Sequence, residues 1–152
     1  MNFPEAIEYA AKETLGRFAG DGDPPLWLRS AQCQEAPGNR TAKQYFPQVY
    51  LTCSSKYGES GECTYAVRLE AAVATWFEDD RDCSMRARFF GEVERVFDQL
   101  ASGGEVEEFF TCKVRESFPS FALGGVSPQE TVPELSEGAQ VMAWAAVIHF
   151  SL

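Results

Sequence analysis

Few side chains of this sequence have the types and the spacing that catalysis requires. The 152 residues include a single histidine, His149, and five cysteines without a C-x-x-C pair. A histidine that acts as a general base or a metal ligand needs an orienting carboxylate or further ligands, whereas His149 alternates with alanine and valine. We therefore predict no catalytic, cofactor-binding or metal-binding residues, and a structural or interface role for His149.

The densest group of possible metal ligands is formed by Glu78, Asp79, Asp80 and Asp82. Carboxylate oxygens that converge on one point bind divalent cations. These acids also lie directly before a predicted helix, where negative side chains cap free N–H groups and complement the helix dipole. We interpret the cluster as a helix start, with a divalent-metal site as the alternative.

The cysteines are odd in number and widely spaced, which is typical of reduced thiols in a cytosolic compartment. They are Cys33, Cys53, Cys63, Cys83 and Cys112. Two of them, Cys53 and Cys112, alternate with valine or leucine in segments that we expect to be strands. Both are predicted to be small buried hydrophobic residues rather than zinc ligands.

The composition excludes several classes of function. Acidic residues number 23 against 13 lysines and arginines, which gives a net charge of −10. Such a balance argues against sequence-specific nucleic-acid binding and against docking on anionic lipid, since both need a basic surface. No window is apolar enough for a membrane span, and the first residues lack the pattern of an export signal, so a membrane location is not expected.

Hydrophobic periodicity defines the elements that would position these residues. Apolar residues recur at helical spacing over 3–18 and 83–101, and the first helix is expected to begin at an Asn2 cap with Glu5 completing a capping box. Alternating patterns predict strands at 46–54, 64–77, 108–116 and 140–152. The last strand is apolar on both faces, so we expect it to be central or covered on both sides.

This order predicts a single α+β domain, a sandwich of a mostly antiparallel sheet with two main helices in the order α-β-β-α-β-β. Long loops are expected at about 19–44 and 117–139, the second with a short edge strand near 120–123. Because the second helix and the strands need each other to bury their apolar faces, one core should form. Its predicted members are Val67, Leu69, Val73, Phe90, Val93, Phe97, Ile148 and Phe150.

Several residues are candidates for an interface. Tryptophans often anchor interfaces, although they are equally common in cores, and the charged tip of the predicted hairpin at 57–61 and the arginines of the second helix are further candidates. The arginines are expected to pair with acids of the same chain or of a neighbouring subunit. The candidate interface residues are Trp27, Gly58, Glu59, Arg86, Arg88 and Trp144.

The whole arrangement resembles the tail terminator, or tail-completion, proteins of long-tailed bacteriophages. The resemblance is carried by four features in sequence: the amphipathic helix from Phe3 to Phe18, the long strand over 66–75 that leads into Glu78-Asp79-Asp80, the helix ending in Phe97-Asp98-Gln99-Leu100, and the C-terminal strand. The segments 19–44 and 117–139 depart from the pattern, so no family residues are transferred to this sequence.

The resemblance implies a non-enzymatic protein of the virion tail that is assembled in the cytoplasm of a bacterial host. It further implies a homo-oligomeric ring, typically a hexamer, that caps the tail tube and docks on head connector proteins. Two alternatives stay open. One is a small α+β enzyme or ligand-binding domain with a pocket near His149, and the other is a non-viral dimeric adaptor.

Overall fold

A computed structural model describes residues 2–19, 32–33, 48–53, 64–76, 81–136 and 139–152. Three helices and six strands are present in this part of the chain. The helices are α1 (Phe3–Phe18), α2 (Ser84–Phe97) and α3 (Glu105–Arg115). The strands are β1 (Gln32–Cys33), β2 (Gln48–Cys53), β3 (Thr64–Trp76), β4 (Ala122–Gln129), β5 (Glu134–Ser136) and β6 (Ala139–Ser151).

The strands form one sheet in the order β1-β2-β3-β6-β4, and β5 pairs with the start of β6. Among the described strands, only the short pairing of β1 with β2 is parallel. The two strands of 13 residues, β3 and β6, pair along their whole length, from Thr64 opposite Ser151 to Trp76 opposite Ala139. β6 has β3 on one side and β4 on the other, which confirms the central position that its apolar faces predicted. The α+β class is confirmed as well.

The core lies between the helices and one face of the sheet. Alternate residues of β3 and β6 point to that face, because cross-strand partners in an antiparallel pair share a side of the sheet. Of the eight predicted core residues, seven are buried. The exception is Phe90, which is half-buried at the margin of the cluster. The buried side of α2 is centred on Val93, Val96 and Phe97, and helical spacing places Phe90 towards its edge.

The segment 108–116 is a helix, and the prediction of a strand there is wrong. Both periods fit this short segment, since Phe110 and Val114 occur at alternating positions and also one helical turn apart. Glycines at 103 and 104 precede it, its first turn is acidic, and its last turn carries Lys113 and Arg115, all of which favour a helix. The buried residues Val106, Phe110 and Val114 face α1. Cys112 is consequently exposed, contrary to the prediction of a buried thiol.

The segment 117–139 is not one long loop, because it contains β4 and β5. The pairing of β4 with β6 shifts register between Leu123 and Gly125, and the glycines that made the segment resemble a loop accommodate this irregularity. A Cβ atom at Gly124 would lie 3.3 Å from the carbonyl oxygen of His149. Pro128, which has no N–H group, is tolerated because β4 is an edge strand of the described sheet.

The start of the first helix is fixed by a cap and by ring contacts. Asn2 accepts a hydrogen bond from the Glu5 N–H at 2.9 Å, and the Glu5 carboxylate accepts one from the Asn2 N–H, so the predicted capping box is confirmed. Phe3 stacks on Phe150 of β6 with 4.4 Å between ring centroids and meets Phe118 edge-on. These rings join the start of α1 to the end of the central strand.

Candidate interaction surfaces

Trp144 lies near the middle of β6 and connects the sheet to the end of α2. Its side chain is only 5% exposed and its ring lies 4.9 Å from that of Phe97. The indole Nε1 donates a hydrogen bond of 2.9 Å to Oδ1 of Asp98. The sequence allowed Trp144 to be either a core residue or an interface anchor. Within one chain it is a core residue, because its ring does not protrude from the surface.

A groove opens beside Trp144, between α2 and the sheet. It encloses about 470 Å³, which lies within the usual range of ligand pockets. Aromatic and aliphatic side chains form its floor, and carboxylates and amides lie at its margin. Its lining comprises Phe90, Glu94, Phe97, Asp98, Val126, Pro128, Gln129, Thr131, Ala143, Trp144 and Ala145.

Two carboxylates give this groove a negative margin. Glu94 and Asp98 are four residues apart on α2 and are therefore neighbours on one side of the helix; both are exposed. Asp98 uses Oδ1 for the Trp144 indole. No ion pair of either carboxylate occurs among the described residues. The candidates drawn from the sequence omitted Glu94 and Asp98, although their spacing next to Phe90 and Phe97 was a usable signal.

The arginines predicted to form an interface lie on α2, but in different surroundings. Arg88 is exposed, with its guanidinium 5.9 Å from the centroid of the adjacent Phe89 ring. Arg86 is half-buried. The pairing of either residue with a neighbouring subunit stays a prediction.

Arg95 lies two turns after Arg88 and joins α2 to α1. Its Nη2 donates to the carbonyl oxygen of Phe18 at 2.8 Å and to Glu92 at 2.8 Å. A cation at the last carbonyls of a helix complements the negative end of its dipole. Residues 88 and 95, separated by seven positions, lie on the same side of α2, and this side faces α1 rather than the groove.

A second surface combines cations and aromatic rings at the junction of α1 and α3. The Arg17 guanidinium is 5.1 Å and the Lys113 ammonium 5.4 Å from the centroid of the Phe109 ring. These distances are typical of cation–π contacts. A hydrogen bond from Lys113 to Glu116 raises the pKa of the lysine, so the charges here are largely satisfied within the chain.

The face of the sheet opposite the core carries mainly small residues. Ala72, Val141 and Ala143 cluster there, beside the ion pair of Arg68 and Glu70. His149 lies on the same face, with Nε2 3.2 Å from Oγ of Ser127. It does not line the groove beside Trp144, so the structure does not bring the predicted pocket and His149 together.

Several of the predicted residues lie outside the part of the chain that the structure describes. They are Trp27, Gly58 and Glu59 of the candidate interface and Glu78, Asp79 and Asp80 of the acidic cluster. Its last member, Asp82, accepts hydrogen bonds from the N–H and hydroxyl of Ser84. Asp82 thus contributes to the start of α2, as predicted for the cluster.

Within the described residues, no three histidine, cysteine or acidic side chains are grouped as a metal site requires. No helix in the same ranges has both the length and the apolarity to cross a membrane.

The sequence matches no protein-family model, and no curated protein matches it significantly.

Proposed function

We propose that this protein is a structural assembly protein that caps the tail tube of a long-tailed bacteriophage and joins the tail to the head. In this proposal it acts without catalysis, as a homo-oligomeric ring between the tube protein and the head connector. The order of the elements motivates the tail-terminator assignment through the resemblance described above. The surfaces of α2 support its self-association.

The observation that carries the proposal is that α2 presents two unlike surfaces. On one side, Phe90, Glu94 and Asp98 line a groove with a negative margin. On the side that faces α1, Arg88 is exposed. A closed ring is built from heterologous contacts, in which one patch of a subunit meets a different patch of the next. Opposite charges on two sides of one helix suit this kind of contact.

The acidity of the chain is compatible with a channel for DNA. A net charge of −10 per subunit repels phosphate, so DNA would pass through an acidic ring without being retained. Local pairing of opposite charges across a contact would offset the repulsion between copies with this net charge.

The proposal is tested first by the mass of the purified chain in solution. Sedimentation or native mass spectrometry should show a species several times heavier than the 16.9 kDa of one chain, and negative-stain images should show rings. A ring that forms only on the tube would escape this measurement, so a second experiment is needed.

The second experiment expresses this gene together with tail genes, which the proposal expects to flank it. Tubes made in its presence should end in a ring, whereas tubes made in its absence should lack the ring and vary in length. Tubes that are identical with and without the protein would contradict the proposal. Binding of the chain to isolated head connectors should likewise depend on its assembly on the tube.

The volume of the groove favours one alternative, a small ligand-binding domain. A groove of about 470 Å³ with aromatic walls can hold a small organic cation between its carboxylates. A monomer that binds such a molecule with micromolar affinity and never caps a tube would establish this alternative.

A further inference from the structure

We propose that the groove beside Trp144 binds the Arg88 side chain of a second copy of this chain, with the guanidinium held by Glu94 and Asp98. This inference rests on the proposed function, since it specifies the contact between neighbouring subunits of the ring. It assigns the binding of the guanidinium to Glu94 and Asp98, which were not among the candidate interface residues drawn from the sequence.

The chemistry of the groove fits an arginine. The guanidinium is planar, stacks on aromatic faces and donates to carboxylates with two N–H groups at once. The half-buried Phe90 ring, Val126 and Pro128 supply an apolar surface for the methylene stem, and the carboxylates of Glu94 and Asp98 lie at the margin. One oxygen of Asp98 is already oriented by the Trp144 indole, so this carboxylate is positioned before the partner arrives.

Among the arginines of α2, Arg88 is the candidate for this contact. Arg95 forms an ion pair within the chain and Arg86 is half-buried. In contrast, Arg88 is exposed and has no ion pair or hydrogen bond in the described part of the chain.

Helix geometry places the two partners on different sides of α2. Phe90, Glu94 and Asp98 follow each other at intervals of four residues and share one side of the helix. Arg88 belongs to the side of Arg95, which contacts the end of α1. An arginine on one side cannot enter the groove on the other side of its own helix, but it can enter the groove of a neighbour. Repeating this contact generates a ring if the rotation closes.

The test uses two charge reversals in the full-length chain, Arg88→Glu and Glu94→Arg. Each should raise the dissociation constant of self-association at least about tenfold, since each places like charges in one contact. Lys12→Glu is the matched control, because Lys12 is exposed on α1 and the substitution changes the net charge by the same amount as Arg88→Glu. Circular dichroism and thermal melting should show that all three variants stay folded.

Two complementation experiments test whether position 88 of one copy contacts position 94 of its neighbour. A chain that carries both reversals restores an opposite-charge pair between positions 88 and 94 at every contact. It should associate more tightly than either single variant and less tightly than the wild type, because Asp98 stays negative. A mixture of the two single variants should also associate, because copies in alternation present one native and one reversed pair. Arg88→Ala should show an intermediate loss.

Three results would overturn the inference. The first is an equal effect of Lys12→Glu and Arg88→Glu on self-association. The second is a double reversal that associates no more tightly than either single variant. The third is a wild-type chain that stays monomeric at about 1 mM, where even a weak contact becomes populated. Tubes capped equally well by wild type and Arg88→Glu would also overturn it while leaving the proposed function intact. Association through this contact without any capping of tubes would instead reject the proposed function.

Discussion

The indole of Trp144 and the carboxylate of Asp98 join the central strand to the last turn of α2 through a hydrogen bond of 2.9 Å. The two residues are 46 positions apart in sequence, so this contact is tertiary. It orients a carboxylate at the margin of the groove while the indole ring stays in the core.

A double-mutant cycle measures this contact. Trp144→Phe combined with Asp98→Ala should give a coupling free energy of about 1 kcal/mol, the usual net contribution of such a bond when one partner is exposed. Urea denaturation of the four proteins provides the measurement. Additive effects of the two substitutions would mean that the hydrogen bond does not contribute to stability.

Removal of the Phe97 ring should destabilise the protein strongly. Phe97 is fully buried and contacts Trp144, so Phe97→Ala is expected to lower the free energy of unfolding by about 3–5 kcal/mol. Phe90→Ala is the matched control on the same helix, and its cost should be clearly smaller because Phe90 is half-buried. A loss below about 1 kcal/mol for Phe97→Ala would mean that the face of α2 that carries Phe97 is not the one buried in the core.

Substitutions in α3 test whether the segment 108–116 is the helix of the structure or the strand that its alternating apolar residues predicted. In the helix Phe110 is buried and Cys112 is exposed, whereas a strand would place both on one face. Phe110→Ala should therefore cost about 3–5 kcal/mol, and Cys112→Ser should change the free energy of unfolding by less than about 0.5 kcal/mol. A large cost for Cys112→Ser would favour the strand.

The start of α2 should depend on pH through Asp82. The hydrogen bond from the Ser84 hydroxyl and then that from its N–H lower the pKa of Asp82 below its ordinary value of 3.8. A carboxyl whose pKa is lower in the folded state stabilises the fold above its unfolded pKa and loses this effect as the pH falls through the folded pKa. Asp82→Ala should thus be less stable than wild type at neutral pH, and this difference should shrink below pH 3.8.

Chemical denaturation over a range of pH provides the measurement for Asp82. Ser84→Ala is the appropriate control, since it removes the hydroxyl donor and leaves the carboxylate in place. A stability difference that grows as the pH falls would show that another group is responsible.

Chelation should leave the melting temperature unchanged. The acidic cluster is predicted to cap α2 rather than to bind a cation, and the hydrogen bonds from Ser84 to Asp82 agree with this role. Thermal melts with and without EDTA provide the measurement, with added Mg²⁺ or Ca²⁺ as the reverse experiment. A clear drop with EDTA would revive the metal site at Glu78–Asp82.

The elements whose apolar residues fit only one spacing, either helical or alternating, were predictable from the sequence. The Asn2–Glu5 capping box, α1, α2 and the long strands β3 and β6 follow from local signals, since a cap and an amphipathic face are encoded within a few neighbouring residues. The apolar character of both faces of β6 even predicted its central position. The α+β class follows from these elements alone.

Tertiary contacts decided the elements for which the local signals were ambiguous. The segment 108–116 fits both periods, and packing of Phe110 and Val114 against α1 selects the helix. The glycines and proline of 122–129 indicate a loop locally, but pairing with β6 makes the segment an edge strand. The groove could not be predicted for the same reason. Its members lie on or directly after α2 and β4, and on β6. Only long-range packing brings Asp98 to Trp144 and separates His149 from both.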